Sequence, residues 1–297
     1  DAYAPHLRSA LAEAGLEAEV SPQIPPAEVD YIAYSPASGV TDFTAFPRLR
    51  AVLSLWAGVE TIVGNPTLTV PLTRMVDSGL REGMVEWVTG HVLRHHLGLD
   101  RHLATQDGTW LGGAVPPLAR SRTVAILGLG ALGAACAEAL RRLNFHVMGW
   151  SRSPRTLAGI DTRHGPDGLD AVLAGAEILV LLLPDTAATE NLLNRRTLAH
   201  LPKGAVVINP GRGPLIDDGA LLDALDSGHL AHATLDVFRQ EPLPPTHPFW
   251  AHTKVTVTPH IASETRPETA ARVIARNIAL DQSGQPMEFL VDRSLGY

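Results

Sequence analysis

The sequence predicts an α/β protein, a doubly wound parallel sheet accompanied by a second, smaller α/β unit. Three observations lead there. Between residues 124 and 258, short apolar runs alternate with stretches whose apolar residues recur at helical spacing. The first of those runs, Val124-Ala125-Ile126-Leu127, passes directly into Gly128-Leu129-Gly130-Ala131-Leu132-Gly133, with glycines in G-x-G-x-x-G spacing. The chain has 297 residues and is 45% hydrophobic, which is enough for about two cores.

In chain order, residues 2–14 read as a helix and 16–20 as a short strand. A unit of this class that opens on a helix lacks the strand expected before it, so the natural protein is expected to carry residues ahead of Asp1. Strands follow at 29–34 and 51–55, with a helical turn near 41–46. A further strand at 69–72 is placed at an edge by Pro71, which has no N–H for a ladder. Residues 80–97 repeat Met84, Val85, Trp87, Val88, Val92 and Leu93 at helical spacing, a broad apolar surface for a core or a second subunit. A loop with Trp110, Gly112, Gly113, Pro116 and Pro117 leads to the glycine-rich strand, and Ala134, Cys136, Ala137, Ala139 and Leu140 continue as a helix. Strand 146–150, helix 169–173, strand 178–183, helix 189–199, strand 205–209, helix 219–227 and strands 233–237 and 254–258 complete the alternation. A last helix at 268–281 is expected to return the chain to the first unit. The expected domains are a Rossmann dinucleotide-binding domain at 81–266 and a smaller, discontinuous, flavodoxin-like substrate domain at 1–80 and 267–297.

Composition removes several classes of function. The net charge is −7 with acids and bases interspersed, so neither a nucleic acid nor an anionic membrane is an expected partner. The longest uncharged apolar stretch, 178–183, is too short to span a bilayer, and no signal peptide is visible. Cys136 is the only cysteine, which fits a reducing compartment, and its Ala-rich surroundings suit a small buried residue. A cytoplasmic location is expected.

The glycine turn has a physical logic. Gly128 makes the turn, Gly130 admits a pyrophosphate to the backbone, and Gly133 allows helix and strand to pack closely. The phosphates would meet the helix N-terminus, whose unpaired N–H groups favour anions. Strand ends in such a sheet face the ligand crevice, and four of them carry polar groups. Ser151-Arg152-Ser153 stands where an acid usually meets the ribose of NAD; a cation between hydroxyls suits a 2′-phosphate instead. Arg212 lies in Pro210-Gly211-Arg212-Gly213, between glycines that leave its backbone open to a ligand, with a planar fork suited to a carboxylate. Taken alone, Glu241 reads as a turn acid and His260 as a structural histidine. With Arg212 at a third strand end, they form an anion clamp plus an acid–base pair. His91, His95 and His96 share a helix but lack the glutamate of a zinc-protease helix, so no metal is expected.

The chain resembles the D-isomer-specific 2-hydroxyacid dehydrogenase family and, within it, the glyoxylate/hydroxypyruvate reductase A group. The resemblance is carried by Leu55-Trp56-Ala57-Gly58-Val59-Glu60, the glycine turn, Trp150-Ser151-Arg152-Ser153 and Asp223-Ala224-Leu225-Asp226-Ser227-Gly228. It continues through Leu235-Asp236-Val237-Phe238, Glu241-Pro242-Leu243-Pro244, Thr258-Pro259-His260 and the ending Asp292-Arg293 with Gly296-Tyr297. It implies that Arg212 holds the substrate's carboxylate and carbonyl, that His260 donates the proton and that Glu241 orients His260. It also implies that Ala57 and Gly58 offer backbone N–H groups to the carboxylate. Trp56 stands where many relatives have a smaller residue, and narrows the pocket. Implied cofactor contacts are Gly128, Leu129, Gly130, Ala131, Leu132, Gly133, Ser151, Arg152, Ser153, Leu183, Pro184, Pro210, Gly211, Asp236, His260 and Ala262. Among these, Asp236 is expected near the nicotinamide amide and Pro184 beside the adenosine. The activity implied is NADPH-dependent reduction of small 2-oxo acids, glyoxylate and hydroxypyruvate, by a homodimer, with NAD(H) as a possible cofactor. The alternatives are an NAD-dependent dehydrogenase of another D-2-hydroxy acid and a dinucleotide-sensing scaffold without turnover.

Overall fold

A computed structural model describes residues 2–110, 112–113 and 115–296. Asp1, and Tyr297 at the end of the resemblance, lie outside the described residues, as do Leu111 and Ala114. Contacts divide the chain into two units, Asp1–Arg81 with Glu264–Tyr297, and Glu82–Ser263.

The first unit is built on three parallel strands, β1 (Tyr31–Tyr34), β2 (Ala51–Ser54) and β3 (Leu72–Thr73), in that spatial order. Every residue of β2 is buried, as the middle strand of a covered parallel sheet requires. Its side chains alternate between two cores. Ala51 and Leu53 meet Leu7, Leu11 and Ile274 of the helices Ala4–Glu13 and Pro267–Gln282, while Val52 meets Phe43, Ile62 and Leu68. Pro71 immediately precedes β3 at the edge, and its carbonyl accepts the Val52 N–H at 2.9 Å. The strand expected at 16–20 does not form. The helix before it ends in a turn in which Leu16 N–H returns to Leu11 carbonyl and Gly15 adopts φ +70°. Leu16 and Val20 then pack on the core singly, and Arg8 holds the Val20 carbonyl at 2.6 Å.

The second unit carries seven parallel strands: β4 (Thr123–Leu127), β5 (His146–Ser151), β6 (Asp161–His164), β7 (Ile178–Leu181), β8 (Ala205–Asn209), β9 (Leu230–Leu235) and β10 (Val255–Val257). Their order is β10-β9-β8-β7-β4-β5-β6, so the winding reverses between β4 and β7. Such a reversal opens a crevice at the carboxyl ends of the two strands. Period-two alternation splits the apolar residues between the two faces of the sheet. Ala125, Leu127, Leu179 and Val207 pack under the helices Gly165–Gly175 and Asp218–Asp226. Val124, Ile126, Val180 and Ile208 pack under Ser78–Leu97 and Ala131–Arg142. Cys136 is wholly buried there, and burial pushes its thiol up to about 12.

In this unit a strand and a helix also depart from expectation. β6 is an edge strand of Asp161, Thr162, Arg163 and His164, with no apolar residue to announce it. The helix expected at 189–199 shrinks to Arg195–Leu198. Thr189 Oγ1 turns back onto the Pro184 carbonyl at 2.7 Å, Asn191 takes φ +50°, and Asn194 and Thr197 form a capping box that starts the helix late. No helix among the described residues is long and apolar enough to cross a membrane.

Candidate active site

The glycine turn sits at the reversal of the sheet. Leu182 N–H bonds the Leu127 carbonyl at 2.7 Å, drawing the end of β7 against the turn after β4. Gly128 has φ +104°, and a Cβ there would lie 2.4 Å from the Leu182 carbonyl oxygen. At Gly133 a Cβ would lie 1.8 Å from the Gly128 oxygen. Both positions therefore exclude any side chain. Gly130 is different: nothing in the protein lies within 4 Å of the place for its Cβ, and its φ is −70°. Neither strain nor internal packing calls for glycine there, and the open space beside it is what a pyrophosphate approaching the backbone would need. Leu129 is 1% exposed and belongs to the core, so only its backbone is available to a ligand. Gly130 and Ala131 are exposed at the start of the helix.

Beyond β5, Ser151 is buried and its hydroxyl donates to the Ser153 carbonyl at 2.8 Å, so it shapes the turn. Arg152 and Ser153 are exposed. Arg155, which the motif reading passed over, is exposed three residues after Arg152, and its carbonyl is tied by Thr162 Oγ1 at 2.6 Å. Leu183 is buried in the core and Pro184 is half-buried beside it.

After β8 comes Pro210-Gly211-Arg212-Gly213, whose glycines serve packing. A Cβ at Gly211 would lie 2.8 Å from the Leu181 oxygen, and one at Gly213 would lie 2.0 Å from the carbonyl carbon of Phe238. This corrects the expectation that they leave the backbone open to a ligand: both, like Pro210, are buried. Arg212 between them is half-buried, and its Nη1 donates to the Gly211 carbonyl at 2.7 Å. Asn209, also missed by the motif reading, brackets the loop. Its side chain is buried, donates to the Arg212 carbonyl at 2.9 Å and accepts the Gly211 N–H at 3.1 Å. An asparagine ending an apolar strand before a Pro-Gly turn was the available signal.

The turns after β9 and β10 bring Glu241 and His260 together. His260 Nδ1 stands 2.7 Å from Glu241 Oε2, and Glu241 Oε1 accepts the Phe238 N–H at 2.8 Å. A carboxylate only accepts, so Nδ1 carries the hydrogen and Nε2 is the ring atom left for chemistry. His260 adopts φ +56°, a left-handed conformation that costs a non-glycine residue roughly 1–2 kcal/mol. The surroundings enforce it. His260 N–H bonds the Asp236 carbonyl at 2.8 Å, and the Asp236 carboxylate takes Thr258 Oγ1 at 2.5 Å, Ile261 N–H at 2.9 Å and Ala262 N–H at 2.8 Å. Asp236 has no exposed surface. Its carboxylate anchors the loop that presents His260.

In the first unit, Trp56 is 49% exposed, with its N–H held by Ser54 Oγ at 3.1 Å and its carbonyl by Met75 N–H at 2.9 Å. Ala57 and Gly58 beside it are half-buried. The helix histidines lie elsewhere in the second unit: His95 bonds Thr234 Oγ1 at 2.8 Å, and His91 packs tilted against Trp87 with ring centroids 4.2 Å apart. Among the described residues, no group of three or more His, Cys, Asp and Glu is placed to hold a metal ion.

Residues 90–262 match the family described as D-isomer specific 2-hydroxyacid dehydrogenase, NAD binding domain. A glyoxylate/hydroxypyruvate reductase A of Serratia proteamaculans is 40% identical over 257 residues, which are 84% of this chain and 82% of that protein. Among solved structures, a D-isomer specific 2-hydroxyacid dehydrogenase from Xanthobacter autotrophicus, in complex with NADPH and MES, is 42% identical with a TM-score of 0.90, covering 99% of this chain and 96% of that one. An NADPH-dependent glyoxylate/hydroxypyruvate reductase from Sinorhizobium meliloti, in complex with NADP and sulfate, is 36% identical with a TM-score of 0.89 and the same coverage.

Proposed function

Because this chain belongs to the D-isomer specific 2-hydroxyacid dehydrogenase family, we propose that it reduces small 2-oxo acids, glyoxylate and hydroxypyruvate, to 2-hydroxy acids with NADPH. The observation that carries the reading is the Glu241–His260 hydrogen bond at the carboxyl end of a sheet whose reversal bears the glycine turn. The nicotinamide, when bound, supplies a hydride.

The residues of the chain do the rest. His260, its Nδ1 engaged by Glu241, presents Nε2–H to the carbonyl oxygen and gives up that proton as negative charge develops there. Arg212 aligns the carboxylate with its planar fork and stabilises the same oxygen. Trp56, Ala57 and Gly58 are the proposed substrate contacts of the first unit. The second unit is proposed to hold the dinucleotide through the backbone of residues 128–133 and through Arg152 and Ser153 at a 2′-phosphate, with NADH a weaker partner. We also propose a homodimer. Leu103, Trp110, Val115 and Leu118, at 69%, 95%, 87% and 61% exposure, are large exposed apolar residues between the Ser78–Leu97 helix and β4 that suit a second copy. A dimer in sedimentation velocity supports that assembly, and a monomer with full activity contradicts it.

NADPH oxidation by the purified protein tests the activity. Turnover with glyoxylate and hydroxypyruvate, falling with longer 2-oxo acids, is expected. NADPH binding without turnover of any 2-oxo acid would point to a sensing scaffold instead.

A further inference from the structure

We propose that Arg239 is a positioning residue for this reaction, its guanidinium tying the loop of Arg212 to the turn of Glu241; the inference rests on the reading above. Arg239 lies two residues before Glu241 and its side chain is 33% exposed. It donates to the Ile216 carbonyl at 2.6 Å and the Pro214 carbonyl at 3.2 Å, both just beyond Arg212. It also donates to Asn191 Oδ1, in the loop after β7, whose own N–H meets the same Pro214 carbonyl at 2.8 Å. Glu190 and Asp218 lie at 3.8 Å and 3.9 Å from the same guanidinium. One planar cation thus gathers three strand-end loops.

The tie runs directly to the reacting groups. Gly213, next to Arg212, presses on the backbone of Phe238, and Phe238 N–H is the donor that holds Glu241 Oε1 at 2.8 Å. The other oxygen of Glu241 holds His260. Displacing the turn against the loop therefore changes the spacing of carboxylate clamp and proton donor together. The Pro214 carbonyl lies at the surface, where water can replace Arg239, whereas the carbonyl of buried Ile216 loses its donor in Arg239→Met and keeps a cation beside it in Arg239→Lys. Lysine offers a point charge where a fork is needed to span separate acceptors.

The test compares Arg239→Lys and Arg239→Met with the wild type, using glyoxylate and NADPH. A small misplacement of reacting groups slows turnover by about 100-fold, so kcat/KM should fall between about 10- and 100-fold, with KM for glyoxylate raised and kcat lowered. The NADPH Kd, read by fluorescence, should stay within about two-fold, because the glycine turn is untouched. In a Glu241→Gln background the further effect of Arg239→Lys should shrink to about two-fold or less, since the alignment it protects is already broken. A purely structural role would lower the thermal midpoint, leave KM unchanged and add independently to Glu241→Gln. An active wild type with unaffected or merely additive variants overturns this proposal alone. A wild type inactive on every 2-oxo acid overturns the functional reading and this proposal with it. If Arg239→Met does not fold, Arg239→Lys, which keeps the charge, decides the matter.

Discussion

Glu241 grips His260 with one carboxylate oxygen, at 2.7 Å from Nδ1, and its own turn with the other, at 2.8 Å from Phe238 N–H. The acid is thereby fixed before it fixes the histidine. The His260 backbone, held left-handed by bonds to Asp236, is set by a different residue. The ring is held by the Glu241 carboxylate, and the backbone by the Asp236 carbonyl together with the Asp236 carboxylate on the neighbouring Thr258, Ile261 and Ala262.

Asp236→Asn tests the second hold. An amide NH₂ would face at least one of the donors Thr258 Oγ1, Ile261 N–H and Ala262 N–H in a buried site. Hydrogen bonds to a charged group contribute about 1.5–3 kcal/mol, so urea unfolding should show a loss of that order. Turnover should fall as well, because the left-handed His260 loses its brace. Unchanged stability would mean that the carboxylate is not the anchor described.

The glycines separate packing from ligand approach. Gly133→Ala forces a methyl group into the Gly128 carbonyl and should destabilise by about 1–3 kcal/mol or prevent folding. Gly130→Ala meets no protein atom, so the melting temperature should hold while NADPH affinity drops about ten-fold or more. Calorimetry and NADPH titration of the two variants check the contrast. An NADPH affinity unchanged in Gly130→Ala would remove the turn from the binding site.

Arg152 tests the choice of cofactor. If it meets the 2′-phosphate, Arg152→Ala should weaken NADPH about 10- to 100-fold relative to NADH, from a charge-assisted bond of about 1.5–3 kcal/mol. Equal losses for both cofactors would reject the contact. Arg155, exposed on the same turn, would soften the effect if it shares the phosphate.

Acid sensitivity should come from a different place. Burial, followed by the neighbouring His232 and Arg94, pushes His95 down to about 3; burial and Arg94 push His232 down to about 4. Above about 6.5, the usual histidine value, folded and unfolded chains both leave these rings neutral and their contribution is intact. As pH falls below that value, the unfolded chain takes up protons that the folded one refuses, so stability drops by at most about 1.4 kcal/mol per pH unit for each ring. Asp100 and His91 around His95, and Asp100, His252 and His91 around His232, modulate the loss. His95→Gln should flatten the fall of the urea midpoint between pH 6.5 and pH 4.5, a range set by the histidine value of about 6.5. An equally steep fall in that variant would assign the acid limb to other groups.

The parts legible in the sequence were those in which local pattern and tertiary role coincide. β2 and β8 are apolar up to their last residues, Ser54 and Asn209, because the sheets bury them on both faces, and the glycine turn is spelled out residue by residue. β6 was illegible because an edge strand needs no apolar residue, and its four polar residues pair only with β5. The strand expected at 16–20 failed for the converse reason: its alternation Leu16, Glu17, Ala18, Glu19, Val20 matched a strand, but apolar anchoring alone satisfied it. In the site, Arg212, Glu241 and His260 stood out as reactive types at strand ends. Asn209, Asp236 and Arg239 did not declare their positioning roles, because those roles consist of bonds to backbone groups in other segments. The glycines flanking Arg212 were noticed for a reason the packing of Phe238 and Leu181 replaces.

The most direct test of the central claim is the rate of NADPH oxidation with glyoxylate in His260→Ala, read beside the NADPH Kd of the same protein. General acid catalysis contributes about 10²- to 10⁴-fold, so the rate should fall within or beyond that range while the Kd stays within about two-fold of the wild type. Retention of a tenth or more of the wild-type rate, with the cofactor bound normally, would contradict the assignment of His260 as the proton donor.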